Sequence, residues 1–214
     1  LDYYFEPVGN FSVGWFHKTI QDYIVSGVQS GIVPSGPDNG YGGEYTGYTI
    51  LTSFNGGTAY VQGWELSYQQ QFTFLPGLLK GLGFSANYTR INAHGNFGGA
   101  TNLGTSQVAG FIPETANVSF PWRYRGFSTR ALLTYTGDYI NSYTAGSIGR
   151  NQYRLARTIL NLGFSYQLRP AVSLTFDVSN LTNEPVVFYR GIRDQMERTL
   201  MTGTSINFGL SGRF

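Results

Sequence analysis

Cysteine is missing from all 214 residues. That excludes a disulfide framework, a thiolate metal site and a cysteine nucleophile. Lysine is nearly missing too, with Lys18 and Lys80 alone. Asp, Glu, Lys and Arg together make 12% of the chain, about half the share of an average soluble domain. A net charge of +2 with no run of Lys or Arg gives no footprint for a nucleic-acid partner. No apolar stretch nears the roughly 20 residues that a spanning helix needs. The opening, LDYYFEPVGN, has no initiator Met and no basic-then-apolar leader, and it reads as the end of a strand in a larger protein. What is plentiful is Gly (29), Tyr (16) and Phe (16), at a mean hydropathy of −0.16. Such an aromatic load excludes disorder, and the low hydropathy excludes apolar helices. A β-structure with two faces of different polarity fits both.

Strict alternation bears this out along the chain. In Ile206–Phe214 the residues Ile206, Phe208, Leu210 and Phe214 point one way, and Asn207, Gly209, Ser211 and Arg213 the other, because successive strand side chains face opposite sides. Val172–Ser179 and Leu160–Leu168 repeat the pattern. Leu82–Thr89, Thr115–Phe120, Phe127–Tyr139 and Gly63–Phe72 follow it more loosely.

A soluble sandwich also alternates. Its wet face, however, carries many Lys and Glu, whereas here that face is Ser, Thr, Asn, Gln and Gly, which suits a confined polar interior. Connections alternate in length as well. Tight ones fall at Glu6–Asn10, Leu75–Gly81, Pro121–Gly126 and Arg169–Ala171. Long ones fall at about Ser26–Gly57, Asn92–Ser106, Ile140–Gln152 and Leu181–Gly203. Short turns on one rim and long loops on the other are the pattern of an outer-membrane β-barrel, short side periplasmic and long side extracellular. The expected fold is therefore an all-β, transmembrane antiparallel barrel in a bacterial outer membrane, with about nine strands in this chain. Aromatics expected in girdles are Phe11, Phe72, Phe74, Phe84, Phe120, Trp122, Phe127, Tyr166 and Phe214 on the short-turn rim, and Tyr60, Tyr88, Tyr139 and Tyr153 toward the other.

With the strands placed, the chain resembles the C-terminal part of a TonB-dependent receptor. The pieces that carry the likeness are YYFEPVGNFSVGWFHKTIQDYI, GTAYVQGWELSYQQQFTFLPGLLKGLGFSANYT, IPETANVSF, SLTFDVSNLTNEP and the terminal INFGLSGRF. The resemblance spans residues 1–214 and implies the last nine or so strands of a 22-stranded barrel filled by an N-terminal plug. Plug, TonB-contacting segment and signal peptide would lie upstream of Leu1. It implies uptake of a scarce nutrient (a metal chelate, cobalamin or an oligosaccharide) driven through the TonB complex. Many siderophore receptors carry Pro-Gly-Arg before the last strand. Here the stretch is MTGTSINF, a departure that weakens the expectation of a siderophore.

Site expectations follow from this layout. The loop Ser26–Gly57 offers Asp38, Asn39, Tyr41, Glu44, Tyr45 and Tyr48 for ligand contact, against the plainer reading of a solvated, partly mobile loop. Glu65, Arg130, Asp177 and Arg213 are expected on the lumen face, suited to plug contacts or a hydrated wall, since charge at the lipid midplane costs about 2–4 kcal/mol. Ile206, Phe208, Leu210 and Phe214 form a terminal strand of the kind that barrel-assembly machinery recognises by strand addition. Arg190, Arg193 and Arg198, mixed with Asp194 and Glu197, are expected in surface ion pairs or lipopolysaccharide contacts.

Other motifs fail on context. Gly81–Ala86 matches a dinucleotide fingerprint but continues as a strand, not a helix. Sequons at Asn10, Asn87, Asn117 and Asn180 fall mostly inside strands. His17 and His94, the only histidines, are expected on different kinds of segment, which argues against a metal site. No cofactor and no catalytic residue is expected. A small complete barrel acting as pore or adhesin is the alternative, weakened by the odd strand count. A barrel hydrolase, less favoured still, would have to use His94 as its loop histidine.

Overall fold

The computed structural model describes residues 1–55, 57–96, 107–144 and 148–212. Arg213 and Phe214, two of the residues singled out above, lie outside that range. In chain order the strands are β1 (Asp2–Phe5), β2 (Gly9–Ile20), β3 (Ile24–Ile32), β4 (Thr49–Asn55), β5 (Thr58–Gln71), β6 (Gly83–Asn96), β7 (Glu114–Tyr124), β8 (Phe127–Thr136), β9 (Tyr139–Ser142), β10 (Gln152–Arg154), β11 (Arg157–Arg169), β12 (Val172–Ser179), β13 (Val186–Arg190), β14 (Met196–Leu200) and β15 (Ser205–Gly212).

Nine of them form one antiparallel sheet in the order β1-β2-β5-β6-β7-β8-β11-β12-β15. Every pair is a chain-sequential hairpin of the wall, so the sheet is an up-and-down meander. Its joints are tight at β1–β2, β5–β6, β7–β8 and β11–β12. The other four joints are long, and three of these hold further strands. One tight turn is shorter than the sequence implies. Pro121 and Trp122 belong to β7, and the turn is only Arg125–Gly126. Proline is tolerated there because the β6–β7 ladder stops at Ser85↔Ser119, apart from an isolated Leu82↔Trp122 bridge, so the missing N–H costs no ladder bond on that side.

Residues directly opposed across strands share a face. Tracing the registers gives one face with Phe208, Phe176, Phe164, Ala131, Phe120, Ala86, Tyr68 and Phe11. The opposite face carries Asn207, Asp177, Gly163, Arg130, Asn117, Asn87, Ser67 and Ser12. On the apolar face Phe208 is 82% exposed and Trp15 58%. An apolar surface this continuous is a liability in water and is stable against hydrocarbon.

The buried hydrophobic residues among those described are Val33, Ala59, Val61, Val108, Ile140, Val178, Phe188 and Tyr189. All sit at or beyond the long-loop end of the wall. Among the described residues the buried set is thus confined to the loops and the loop-side ends of the wall strands.

At the short-turn end, rings form a chain across strands: Phe5–Tyr68, Tyr68–Phe84 and Phe84–Phe120, with centroids 5.1–5.9 Å apart, then Trp122–Phe127 at 5.6 Å. Trp122 Nε1 also donates to Leu78 O (2.8 Å) in the β5–β6 turn, leaving the ring in the apolar layer and its N–H satisfied. Tyr139 and Tyr153 lie in β9 and β10, outside the nine-stranded wall sheet, where Tyr153 stacks on Tyr189 (5.1 Å, 11°).

Candidate functional site

Two folded bodies crown the long-loop rim. The first is the β3–β4 hairpin, a two-stranded sheet of its own. The stretch expected to be a solvated loop therefore begins and ends in paired strand, with register Ile32↔Thr49 closing a compact tip. Gly47 N donates to Val33 O, and Val33 N to Tyr48 O (both 2.9 Å). Within the tip Asn39 is the brace. Its Oδ1 accepts from Tyr41 N and Gly43 N (2.9 Å each), while Nδ2 donates to Glu44 O (2.8 Å) and Pro34 O (3.2 Å). Gly40, Gly42 and Gly43 have φ of 85°, 62° and 86°, a conformation that glycine adopts without a Cβ penalty. Around this brace Tyr41, Tyr45 and Tyr48 pack edge to face (6.0 and 5.7 Å) and stay 49%, 55% and 67% exposed. Asp38 and Glu44 are exposed beside them. The tip is an aromatic shelf with hydroxyls and two carboxylates at its margin.

The second body joins three loops. β9 and β10 come from the β8–β11 connection, and β13 and β14 from the β12–β15 connection; they make one sheet in the order β14-β13-β10-β9. Gln152 donates to Glu197 (2.6 Å), Asn141 to Gln152 (2.6 Å), and Arg190 pairs with Glu197 (2.7 Å). Arg193 pairs with Asp138, and the Arg198 guanidinium lies 4.5 Å over the Phe188 ring. The β6–β7 connection docks on the edge of β9. Ala109 N donates to Tyr143 OH (2.8 Å), and Tyr143 OH donates to Gln107 O (2.5 Å). Burial pushes the Tyr143 phenol up to about 12, against the opposing hydrogen bond from Ala109. Burial also raises Tyr189, with Asp138 adding to it. The hydrogen bond from Gln152 is the largest influence holding Glu197 below the ordinary carboxylate value.

At the root of this body Asn180 leaves β12 at φ 54°. Its Oδ1 accepts from Glu184 N (2.8 Å), and its Nδ2 reaches Gly203 O (3.1 Å) and Glu184 O (3.2 Å), tying loop exit to loop return. Sequence reasoning met Asn180 only as a sequon and passed over Gln152, Asp138 and Tyr143. The usable signal was SNLTNEP, with an Asn suited to a left-handed turn.

On the polar face of the wall lie Glu65, Arg130 and Asp177. A groove of about 230 Å³ there is lined by Arg123, Arg130, Asp177 and Thr175, among others. Gly163 leaves room for Asp177, whose Oδ1 would stand 3.1 Å from any Cβ at that position. Glu65 is three strands away from Arg130 in the sheet order, and the two do not share a groove. Ile206, Phe208 and Leu210 lie on β15, an edge strand exposed along its whole length.

His94 is not a loop histidine. β6 runs to Asn96, paired Thr58↔Asn96 with β5, so His94 sits on the wall beside Tyr60 (5.6 Å).

A family model described as "TonB dependent receptor-like, beta-barrel" matches residues 1–181. No curated protein matches the chain. Among solved structures, the chain is similar to the FrpB iron transporter from Neisseria meningitidis (F3-3 variant), with a TM-score of 0.61 and 12% identity over 96% of this chain and 29% of that one. It is similar to the siderophore receptor PiuA from Acinetobacter baumannii (0.62, 14%, 95% and 26%). The third is the ferric-catecholate import receptor Fiu from K12 E. coli, in its closed form (0.61, 14%, 95% and 25%). At such identities the likeness is one of fold. The chain spans less than a third of the length of each.

Proposed function

This chain belongs to the TonB-dependent receptor β-barrel family, non-enzymatic transporters of the bacterial outer membrane, and from that premise we propose that it supplies barrel wall and outer loops for active uptake of a scarce nutrient. The observation that carries the reading is the two-faced meander with tight turns on one rim and folded bodies on the other. The apolar face meets lipid, and the polar face lines a lumen. Tyr41, Tyr45, Tyr48, Asp38 and Glu44 are the ligand contacts in this reading, with Asn39 fixing the shape of the tip. Glu65, Arg130 and Asp177 face a plug held in the lumen. The edge strand β15, with Ile206, Phe208 and Leu210, is read by the assembly machinery by strand addition. TonB acts through chain outside these residues.

Three similar structures carry iron or siderophore import in their names, so ferric chelates come first among metal chelates, cobalamin and oligosaccharides. The test is labelled-nutrient uptake by cells deleted for the full-length gene, with and without TonB. One class should be lost in both backgrounds. Replacing Tyr41, Tyr45 and Tyr48 by Ala should weaken binding of that class by about tenfold or more. Uptake of every class surviving deletion would overturn the proposal.

A further inference from the structure

On the apolar face, composition changes within one step of height. Val13, Leu66, Tyr88 and Ala116 share a level across β2, β5, β6 and β7. One level toward the loops come Trp15, Trp64, Arg90 and Glu114. Above them lie His17, Gln62 and Asn92, and then Thr19, Tyr60 and His94. The two indoles mark where the wall leaves hydrocarbon, since Trp gathers at that boundary. The polar groups above are at headgroup height.

These groups are organised. The two histidines of the chain flank Tyr60 from adjacent strands, with ring centroids at 6.2 and 5.6 Å and interplanar angles of 30° and 29°. Trp15 extends the row past His17 (6.3 Å, 17°). A separation that leaves Tyr60 between the imidazoles excludes a shared metal ion. Arg90 has a side chain 70% exposed, and its Nε stands 3.8 Å from Glu114 Oε1, too long for a hydrogen bond. Arg90, both imidazoles, the Tyr60 hydroxyl and the Gln62 and Asn92 amides can all donate. Glu114 is the one carboxylate among them. The arginines that the sequence offers for lipid contact are committed elsewhere: Arg190 to Glu197, Arg193 to Asp138, and Arg198 to the Phe188 ring.

We propose that this belt binds the phosphorylated headgroup of an outer-leaflet glycolipid. Arg90 is the phosphate anchor, because a guanidinium matches phosphate oxygens in geometry as well as charge. The His17–Tyr60–His94 row forms a hydrogen-bonding shelf above it. The proposal rests on the orientation of the wall and is independent of which nutrient is carried.

The test uses the full-length receptor in detergent, with bound lipid counted by native mass spectrometry. Bis-phosphorylated lipid A should bind about tenfold more tightly than dephosphorylated lipid A. Combining Arg90→Gln, His17→Gln and His94→Gln should abolish that preference, whereas Lys18→Gln, on the other face of β2, should keep it. Heat-modifiable migration confirms that each variant folds, and the comparison of two lipids on the unaltered protein needs no variant. Equal binding of the two lipids overturns the proposal, as does a preference that survives in the triple variant. Displacement of lipid A by millimolar inorganic phosphate overturns the assignment to a lipid.

Discussion

Gln152 and Glu197 belong to connections that leave the wall at different hairpins, yet Gln152 Nε2 donates to Glu197 Oε2 across 2.6 Å. Gln152 is buried among the described residues, and its own Oε1 accepts from Asn141. The pair fixes β10 against β13 and β14, so two extracellular loops order as one.

A pH dependence follows. Hydrogen bonding from Gln152, then from Arg190, lowers the Glu197 carboxyl below its ordinary 4.5, with desolvation opposing. A lowered folded value contributes stability above the unfolded one, and that contribution is lost as pH falls through the folded value. Amide exchange of β13 and β14, corrected for intrinsic rate, should stay protected down to about pH 5 and rise below it. Glu197→Gln should flatten the dependence.

Tyr143 runs the other way. Its phenol is raised from 10 to about 12, so its donation to Gln107 O is complete below pH 10 and lost as pH rises through about 12, whereas the phenolate still accepts from Ala109 N. Tyr143→Phe removes both contacts at neutral pH and should cost about 1–3 kcal/mol locally. Limited proteolysis should then cut at residues 107–111 of the intact receptor.

Asn180 is expected to be the costliest polar position in these loops. Asn180→Ala removes its side-chain bonds and, with them, the local hydrogen bonding that lets asparagine hold a left-handed backbone, for a loss of about 2–4 kcal/mol. Asn180→Gly should recover about 1 kcal/mol of it, because glycine tolerates that backbone. Urea midpoints of the refolded receptor read both.

Two glycines should behave oppositely. A Cβ at Gly81 would be driven into the Arg123 carbonyl, which is backbone, whereas Gly31 has nothing within 4 Å of its Cβ direction. Gly81→Ala should cost about 3 kcal/mol or more, and Gly31→Ala should fall within about 0.5 kcal/mol. The same urea series checks them.

The nine wall strands and their rims were legible because period two is local and each strand repeats the same division of faces. Phe164, Phe176 and Phe208 alternate with small polar residues over enough length to fix side and register. Two boundaries were misplaced for one reason. Neither His94 nor Pro121 announces how far its neighbour's ladder runs, and that ladder sets where a strand ends. The loop sheet was illegible for a different reason. Gln152–Arg154 is three residues long, too short to show a period, and its partner Phe188–Arg190 lies over thirty residues on. Of the ligand-contact candidates, residue type pointed to the tyrosines. Only the folded tip separates Asn39, whose polar atoms are used inside it, from its neighbours.

The two crowning bodies differ in how they can change over evolutionary time. Among the described residues the β3–β4 hairpin pairs only with itself, so a recombination event could exchange Ile24–Asn55 as a cassette and leave the rest of the rim intact. The sheet β14-β13-β10-β9 has no such freedom, because β10 is paired with β13 from the other connection. Swapping either connection alone breaks the partner's ladder, so these two must be inherited together. New ligand preferences should therefore arise first at the hairpin.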